Sequence, residues 1–308
     1  MNDSRVEISA GRRFAFGANW QSFVKLVDET RIEGARRSLT ETLGVSDLSG
    51  RTFLDIGCGS GLFSLAAHQL GARVRSFDFD PDSVAAAGEL RRQYAPRSDW
   101  SVEQGSILDE QYVGGLGYFD VVYSWGVLHH TGSLWRAVDT AARLVGPGGL
   151  LFISVYNDQG SASRMWRRVK RLYNTSGPVT RGLLVAGSFA YLGRHRPVRA
   201  VSRAVRRLPS DAAPPVRARG MSARHDLIDW VGGYPFEVAS PEEVFRRIHP
   251  LGFELRHLKT CAGGLGCNEY VFEQAGPSQR RTPIIPASRP RPASGAAPGA
   301  AGSQPGRD

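Results

Sequence analysis

Cysteine and long apolar runs are both scarce in this chain of 308 residues. The three cysteines, Cys58, Cys261 and Cys267, make neither an even disulfide set nor a pair at metal-binding spacing, so we expect a reducing compartment and no metal site. The longest apolar run, residues 183–192, is about half as long as a membrane span needs to be. The N-terminus is polar and lacks the apolar core of a signal peptide. These absences predict a soluble, cytoplasmic protein without a transmembrane segment.

Lysine is almost missing as well, because only Lys25, Lys170 and Lys259 contribute to the 39 basic residues. The formal net charge of +10 is therefore carried by arginine, and arginine-rich codon usage explains part of it. Acidic residues are absent from residues 159–209, where basic residues recur. This basic stretch fits a phosphate, an acidic substrate, a weak contact with an anionic lipid surface or RNA, and a merely solvated face is an equal alternative.

An acid and three alternating glycines form the most informative motif, Leu-Asp-Ile-Gly-Cys-Gly-Ser-Gly at residues 54–61. The apolar run before the glycines and the helical pattern at residues 62–70 predict a strand, a tight turn and a helix, the unit that opens a Rossmann-like half. A dinucleotide-binding turn would need a glycine where this chain has Leu62. Asp55 would repel a pyrophosphate but attract an ammonium group. The motif therefore favours S-adenosyl-L-methionine, which carries an ammonium and a carboxylate, over a dinucleotide.

The motif resembles motif I of the class I S-adenosylmethionine-dependent methyltransferases, and residues 50–155 as a whole are similar to that superfamily, closest to its ubiquinone- and menaquinone-biosynthesis type. The resemblance implies an α/β fold with a Rossmann-like sheet of seven strands, mostly parallel with the last strand antiparallel, and a helical cap insertion. The expected segments are N-terminal lid helices at 1–48, the S-adenosylmethionine-binding core at 49–158, a basic helical cap at 159–238, a C-terminal helix with closing strands at 239–274, and a disordered tail at 275–308.

Residues at the predicted strand ends are the candidate cofactor contacts. An acid at the end of the second strand, Asp78, can accept both ribose hydroxyls of an adenosyl ligand. Superfamily members often carry an acid after the third strand, but this chain has Ser106, whose hydroxyl can still accept from the adenine amino group. The fourth strand ends beside the expected place of the sulfonium. The full predicted set is Asp55, Gly57, Gly59, Gly61, Asp78, Phe79, Ser106, Ile107, Ser124 and Trp125.

Three polar or aromatic residues are candidates for substrate binding. Trp20, with its neighbour Asn19, precedes the first strand, where members of this superfamily often carry a lid over the cofactor, although core packing explains the aromatic residue equally well. Tyr156 and Asn157 follow the fifth strand and are expected to emerge at the edge of the cofactor site.

Two histidines are candidate general bases for a hydroxyl acceptor, His130 and His225. His129 and His130 are adjacent and point in different directions, so only one of them can face a substrate. A histidine that only caps the local turn is an alternative for both. Asp226 follows His225 directly, and sequence neighbours do not normally face each other, so a paired dyad is not expected.

Two helical patterns flank the core. Residues 1–12 look frayed, and residues 21–42 predict one helix. The cap is expected to be helical too, with its arginines facing away from an apolar stripe. That stripe consists of Met165, Trp166, Val169, Leu172 and Tyr173.

These features favour a methyltransferase that acts on a small-molecule acceptor, most simply by O-methylation of a sugar, quinone-like or specialised metabolite. The long cap supports this choice, because a small acceptor needs an enclosed pocket. An RNA (tRNA) methyltransferase that uses the arginine-rich insertion is the second hypothesis, so nucleic acid is not the favoured partner. A cofactor-binding partner subunit without turnover is the third.

Overall fold

A seven-stranded sheet flanked by helices organises the part of the chain that the computed structural model describes, residues 4–193 and 230–276. The strand order is β3-β2-β1-β4-β5-β7-β6, and β7 runs antiparallel to both of its neighbours. This arrangement confirms the predicted Rossmann-like sheet with an antiparallel last strand. The strands are β1 Thr52–Ile56, β2 Arg73–Asp78, β3 Trp100–Gln104, β4 Phe119–Ser124, β5 Val145–Tyr156, β6 Phe253–Lys259 and β7 Cys267–Gln274.

Helices cover both faces of this sheet. They are α1 Ser4–Ser9, α2 Phe16–Val24, α3 Glu29–Leu43, α4 Leu62–Gln69, α5 Pro81–Tyr94, α6 Glu110–Gly114, α7 Leu134–Arg143, α8 Ser161–Thr175, α9 Pro178–Gly193 and α10 Pro241–Ile248. Single turns of 3₁₀ helix occur at Leu128–His130 and His249–Leu251. Within the two described ranges, no helix combines the length and the apolarity that crossing a bilayer requires.

Neighbouring strand residues bury into opposite layers of the core. Phe53 packs into the layer that contains α3 and α4, and Leu54 packs into the layer that contains α7 and α10. This alternation follows from the two-residue period of a strand, and it explains why β1 is apolar on both faces. The carboxyl ends of β1, β2 and β4 therefore meet at one edge, where open α/β sheets bind their ligands.

The N-terminal region differs from its prediction in two ways. Residues expected to be frayed contain α1, and the single helix expected at 21–42 is two helices, α2 and α3. The break lies at Asp28, whose side chain caps α3 by accepting a hydrogen bond of 2.9 Å from the Arg31 N–H.

The apolar stripe predicted for the cap is only partly correct. Trp166 is buried, but Met165 and Leu172 are 39% and 49% exposed. The face of α8 that turns inward instead carries Lys170, because its ammonium finds a backbone carbonyl and aromatic rings there. Residues 194–229, including His225, lie outside the described residues, and so does nearly all of the tail predicted to be disordered. The division into five segments stays a prediction.

Candidate functional site

A cavity of about 570 Å³ lies at the carboxyl ends of the central strands. One side, the acidic wall, consists of Asp55, Gly57, Gly59 and Asp78. The other side, the aromatic wall, consists of Phe16, His130, Tyr156 and Trp230, whose rings contact one another in that order. Two chemically different surfaces therefore face the same space.

The glycine turn of the acidic wall leaves no room for side chains. Gly57 and Gly59 adopt left-handed φ angles of 72° and 53°, which cost other residues about 1–2 kcal/mol. A Cβ atom on Gly57 would lie 2.4 Å from the Val127 side chain, and one on Gly59 would lie 2.8 Å from the Trp20 indole. The turn therefore presents bare backbone to the cavity.

Asp55 lines the cavity although it is only 2% exposed. Its carboxyl group accepts a hydrogen bond of 2.5 Å from the Ser64 hydroxyl. The pKa of Asp55 is raised to about 7, chiefly by burial. The Ser64 hydrogen bond acts in the lowering direction, and the nearby Asp78 carboxylate adds to the raising effect. The group is thus poised to ionise when a cation enters the cavity.

Asp78 is the second carboxyl group of the acidic wall. Its two oxygens accept backbone hydrogen bonds, from the Gly59 N–H at 3.0 Å and from the Asp80 N–H at 2.9 Å. Burial raises its pKa to about 6, although both hydrogen bonds act in the opposite direction. Each oxygen has a second lone pair, so the group can still accept hydrogen bonds from a pair of hydroxyls.

The cavity continues past Phe79, Ser106 and Ile107, as the sequence predicts. The Ser106 hydroxyl oxygen accepts a hydrogen bond of 3.2 Å from the Leu108 N–H, which leaves its proton and one lone pair for a ligand. The Arg13 guanidinium lies 4.7 Å from the centre of the Phe79 ring. Arg13 lines the cavity and was not predicted, because it directly follows the stretch that looked frayed and belongs to no recognised motif.

His130 is the titratable residue of the aromatic wall. Its Nδ1 lies 2.6 Å from the Pro235 carbonyl oxygen, and a carbonyl can only accept, so this contact assigns the proton to Nδ1. The lone pair therefore belongs to Nε2. Burial is the main cause that holds the pKa of His130 well below its ordinary value, and the neighbouring His129 and Lys170 act in the same direction. The imidazole is neutral at physiological pH.

His129 lies behind this wall and does not line the cavity. It is fully buried, with its ring 4.1 Å from the ring of Tyr156, measured between centroids. Burial lowers the pKa of His129 to about 3. Of the two adjacent histidines, His130 is the one that faces the cavity.

Three residues predicted to bind ligands do not line the cavity. The Ser124 hydroxyl is buried and donates to the Ile56 carbonyl at 3.1 Å, between two strands. The Asn157 side-chain oxygen accepts from the Asn268 amide at 3.0 Å. Gly61 begins α4, where a Cβ atom would lie 3.0 Å from Ala87, so close helix packing is what this glycine permits.

The other predicted contacts do lie at the cavity. Trp20 covers the glycine turn, and Trp125 donates its indole N–H to the Glu269 carboxylate at 3.2 Å. Tyr156 belongs to the aromatic wall. Asn19 is not a lining residue.

The cavity is also lined by two cysteines that form no disulfide, Cys58 and Cys267. Burial and the carboxyl groups of Asp78 and Asp55 raise the pKa of Cys58 well above its ordinary value, so this thiol stays protonated and is a poor nucleophile. Among the residues that the structure describes, no group of three His, Cys, Asp or Glu side chains is arranged to hold a metal ion.

Comparison with known proteins gives a family match for about half of the chain. A model described as a methyltransferase domain matches residues 27–182 of the 308. The matched part includes the acidic wall, His130 and Tyr156, and it extends through α8.

Two curated relatives carry the same name, ubiquinone biosynthesis O-methyltransferase. The protein from Xanthomonas oryzae pv. oryzae is 34% identical over 111 residues, which cover 36% of this chain and 45% of that protein. The protein from Pseudomonas paraeruginosa is 36% identical over 111 residues, or 36% of this chain and 46% of that protein. The chain thus spans less than half the length of either relative.

A solved structure of an O-methyltransferase family protein from Burkholderia thailandensis aligns with this chain at a TM-score of 0.49 and 13% identity. The alignment covers 85% of this chain and 60% of that one.

Proposed function

The chain belongs to the family that the methyltransferase-domain model defines, and from this premise we propose that it transfers the methyl group of S-adenosyl-L-methionine to a hydroxyl group of a small-molecule acceptor. One observation carries the proposal: a single cavity is lined by the buried carboxyl group of Asp55, the half-buried carboxyl group of Asp78 and the neutral, buried imidazole of His130. The relatives' shared name supports oxygen as the attacking atom and a quinone-like metabolite as the acceptor.

The acidic wall fits a cationic nucleoside such as this cofactor. Two carboxyl groups with raised pKa values are costly to ionise in an apolar cavity, and a ligand ammonium offsets that cost. In the proposed pose Asp55 would face the ammonium and Asp78 would accept hydrogen bonds from the ribose hydroxyls. The N–H groups of Gly57, Gly59 and Gly61 already donate to acceptors within the protein, so the turn would contribute close backbone approach to the ligand. Ser106 and Ile107 border the adenine.

The bound cofactor supplies an electrophilic methyl carbon on a positively charged sulfur. His130 Nε2 would take the proton of the acceptor hydroxyl as its oxygen forms the new bond to the methyl carbon, and the electron pair of the broken S–C bond would stay on the sulfur. Pro235 stabilises the resulting imidazolium, since its carbonyl already accepts the Nδ1 proton. The protein otherwise works by alignment and exclusion of water, because the reaction removes a charge instead of creating one.

The aromatic wall fits a planar acceptor. The rings of Tyr156 and Trp230 meet at 87°, with 5.3 Å between centroids, and Trp230 belongs to the segment between the cap and α10. Aromatic rings such as these favour offset-stacked or edge-to-face contacts with another ring, so a planar acceptor suits this wall. A planar ring placed there would lie beside His130, which is also part of this wall.

The RNA hypothesis has less support. Arg167 donates to the Phe236 carbonyl, and Arg181 donates to the Tyr173 carbonyl, so these two arginines of the basic stretch contact the protein's own backbone. The three cysteines form no disulfide, which agrees with the proposal of a reducing, cytoplasmic setting.

The test is transfer of an isotopic methyl label. The purified protein is incubated with methyl-labelled S-adenosyl-L-methionine and either a small-molecule extract or total RNA from the source cells, and the products are analysed by mass spectrometry. We expect the label on the oxygen of a small metabolite. Label found only in RNA, or label transfer that persists unchanged in a His130→Gln variant, would contradict the proposal.

A further inference from the structure

Residues 230–237, here named the strap, cross between α8 and the aromatic wall. The strap supplies the Pro235 carbonyl that receives the His130 Nδ1 proton. It also supplies Trp230, which lines the cavity. The position of this short segment therefore decides how the histidine ring is held.

Three side chains of α8 hold the strap by its backbone. Arg167 Nε donates to the Phe236 carbonyl at 3.1 Å, and Asn174 Nδ2 donates to the Gly232 carbonyl at 2.7 Å. Between them, Lys170 Nζ donates to the Trp230 carbonyl. The spacing of three and four residues puts all three donors on one face of the helix, and we name this set the donor stripe.

Lys170 is the least expected member of the donor stripe. Its side chain is fully buried, and its ammonium lies 4.7 Å from the Trp230 ring centre, 4.8 Å from that of Phe236 and 5.6 Å from that of Tyr156. A buried cation carries a desolvation cost that an apolar side chain of the same volume avoids. Packing alone therefore gives no reason for a lysine here.

The strap is also held from the other side. The Phe14 N–H donates to the Tyr234 carbonyl at 2.8 Å, and a Cβ atom on Gly232 would lie 2.2 Å from the Phe14 ring. The Glu237 N–H donates to the His129 carbonyl at 3.0 Å. The strap thus lies between α8 and the histidine turn, with contacts to both.

We propose that Arg167, Lys170 and Asn174 are positioning residues that fix the tautomer and orientation of His130 through the strap. The donors fix the strap carbonyls, and the Pro235 carbonyl in turn fixes the imidazole. The inference rests on the proposed function, because it assumes that His130 is the general base. It also assigns a role to the basic face of α8 that needs no nucleic acid and no lipid.

Several titratable or charged groups surround His130, and they come from the histidine turn, the N-terminal segment, β5, α8 and the strap. They are His129, Arg13, Tyr156, Lys170 and Glu237. The cations of Lys170 and Arg13 both oppose protonation of His130, and the Pro235 carbonyl favours it. Removal of the Lys170 charge therefore raises the pKa of His130.

Four variants test the proposal in the full-length protein. Lys170→Met removes the charge and the donor but keeps the volume, and Arg167→Met removes an exposed donor with little risk to folding. Arg167→Lys keeps a donor at the same place. Arg171→Met is the matched control, because it removes one exposed charge from the same helix outside the donor stripe.

We expect kcat to fall about tenfold in Lys170→Met and Arg167→Met while the KM for the cofactor changes less than about twofold. The acidic limb of the pH–rate profile moves to higher pH in Lys170→Met, because the cation no longer opposes protonation of His130. Arg167→Lys recovers most of the activity, and Arg171→Met matches the wild type. Wild-type kcat and pH profile in both methionine variants would overturn the proposal; if Lys170→Met does not fold, Arg167→Met decides alone.

A second readout does not depend on turnover. In ¹⁵N-histidine NMR spectra, with His130 assigned by a His130→Gln variant, we expect one neutral Nδ1–H tautomer in the wild type and a tautomer mixture in Arg167→Met. If no acceptor is ever methylated, the proposed function fails but these spectra still test the positioning claim. A tautomer mixture in the wild type, or identical spectra in wild type and Arg167→Met, would overturn it.

Discussion

The two walls of the cavity are built from different kinds of chain segment. The acidic wall comes from the ends of β1 and β2 and the turn between β1 and α4, all within residues 55–78. The aromatic wall brings together Phe16, His130, Tyr156 and Trp230, which span more than two hundred residues of the sequence. One wall is local in sequence, and the other exists only after the N-terminal segment and the strap have packed onto the sheet.

The walls also differ in their ionisation. The acidic wall has two carboxyl groups whose pKa values are raised to about 7 and about 6. The aromatic wall has a histidine whose pKa is lowered well below its ordinary value. Cofactor binding and proton transfer are therefore expected to respond to different mutations and to different ranges of pH.

The largest expected effect is on turnover. The change His130→Gln removes the proposed base while it keeps a polar side chain of similar length, and kcat should fall about 10²- to 10³-fold. Cofactor affinity should stay within about twofold, because the histidine belongs to the other wall. Steady-state kinetics and calorimetry measure the two quantities.

The matched control for this variant is His249→Gln. The His249 ring hydrogen-bonds to the Phe253 carbonyl at 2.9 Å, just after the end of α10. Its substitution should leave both quantities unchanged. A wild-type kcat in His130→Gln would remove the base from the mechanism.

The second effect is on binding. Asp78→Ala removes a carboxylate that we expect to accept two hydroxyl hydrogen bonds, each worth about 1.5–3 kcal/mol when the acceptor is charged. S-adenosylhomocysteine should then bind at least about 100-fold more weakly, measured by calorimetry on protein whose thermal melt shows it to be folded. Asp82→Ala, an exposed acid at the start of α5, is the control. Unchanged affinity in Asp78→Ala would refute the assigned pose.

The third effect is a pH dependence of affinity. Free Asp55 has a pKa of about 7 against its ordinary 3.8, so the ligand-free protein holds a proton there that a bound ammonium displaces. Affinity should rise about tenfold per unit below about pH 6 and flatten above about pH 7. Calorimetry in buffers of different ionisation enthalpy should detect the released proton. Affinity that is flat between about pH 5.5 and about pH 7.5 would contradict this reading.

The raised pKa of Asp55 also determines how the stability of the folded protein changes with pH. Because the folded-state pKa of Asp55 is raised, its contribution to stability is fully present below about pH 4 and is lost as the pH rises through about 7. The melting temperature of the ligand-free protein should therefore fall as the pH rises through this range, and the melting temperature of Asp55→Asn should fall less. Equal pH profiles for the two proteins would count against the burial of this group.

The smallest effect lies outside both walls. Ser240 and Glu243 form a capping box at the start of α10, and Ser240→Ala should lower the free energy of unfolding by about 1 kcal/mol. Denaturant titration measures this change. Cofactor affinity and kcat should stay at wild-type values. This variant therefore shows how little a purely structural loss of stability affects binding and turnover.

The local wall was largely predictable from sequence, because its signals are local. The glycine turn and Asp55 lie in one motif, and Asp78 follows an apolar strand at the expected distance. The placement of Ser124 differs from the expected one by a single residue. The last side chain of β4 points between strands, toward the Ile56 carbonyl, and the next residue, Trp125, lines the cavity.

The other wall and its surroundings depend on contacts that no short pattern encodes. Asn157, just past β5, pairs with Asn268 of β7 and is drawn away from the cavity, and Lys170 reaches the Trp230 carbonyl sixty positions away. Arg13 lay in a stretch without any helical or apolar pattern. Sequence could name Tyr156 and His130 as candidates, but it could not supply the contact that holds the His130 ring, since the Pro235 carbonyl comes from a segment more than a hundred residues away.

The central claim is that the acidic wall holds a sulfonium nucleoside and not a redox dinucleotide. Calorimetry of the purified wild-type protein and of Asp78→Ala with S-adenosylhomocysteine, and separately with NAD, tests it most directly. The account predicts that one molecule of S-adenosylhomocysteine binds per wild-type chain, that binding is lost or greatly weakened in the variant, and that NAD gives no heat. Tight binding of NAD without a response to S-adenosylhomocysteine would contradict it.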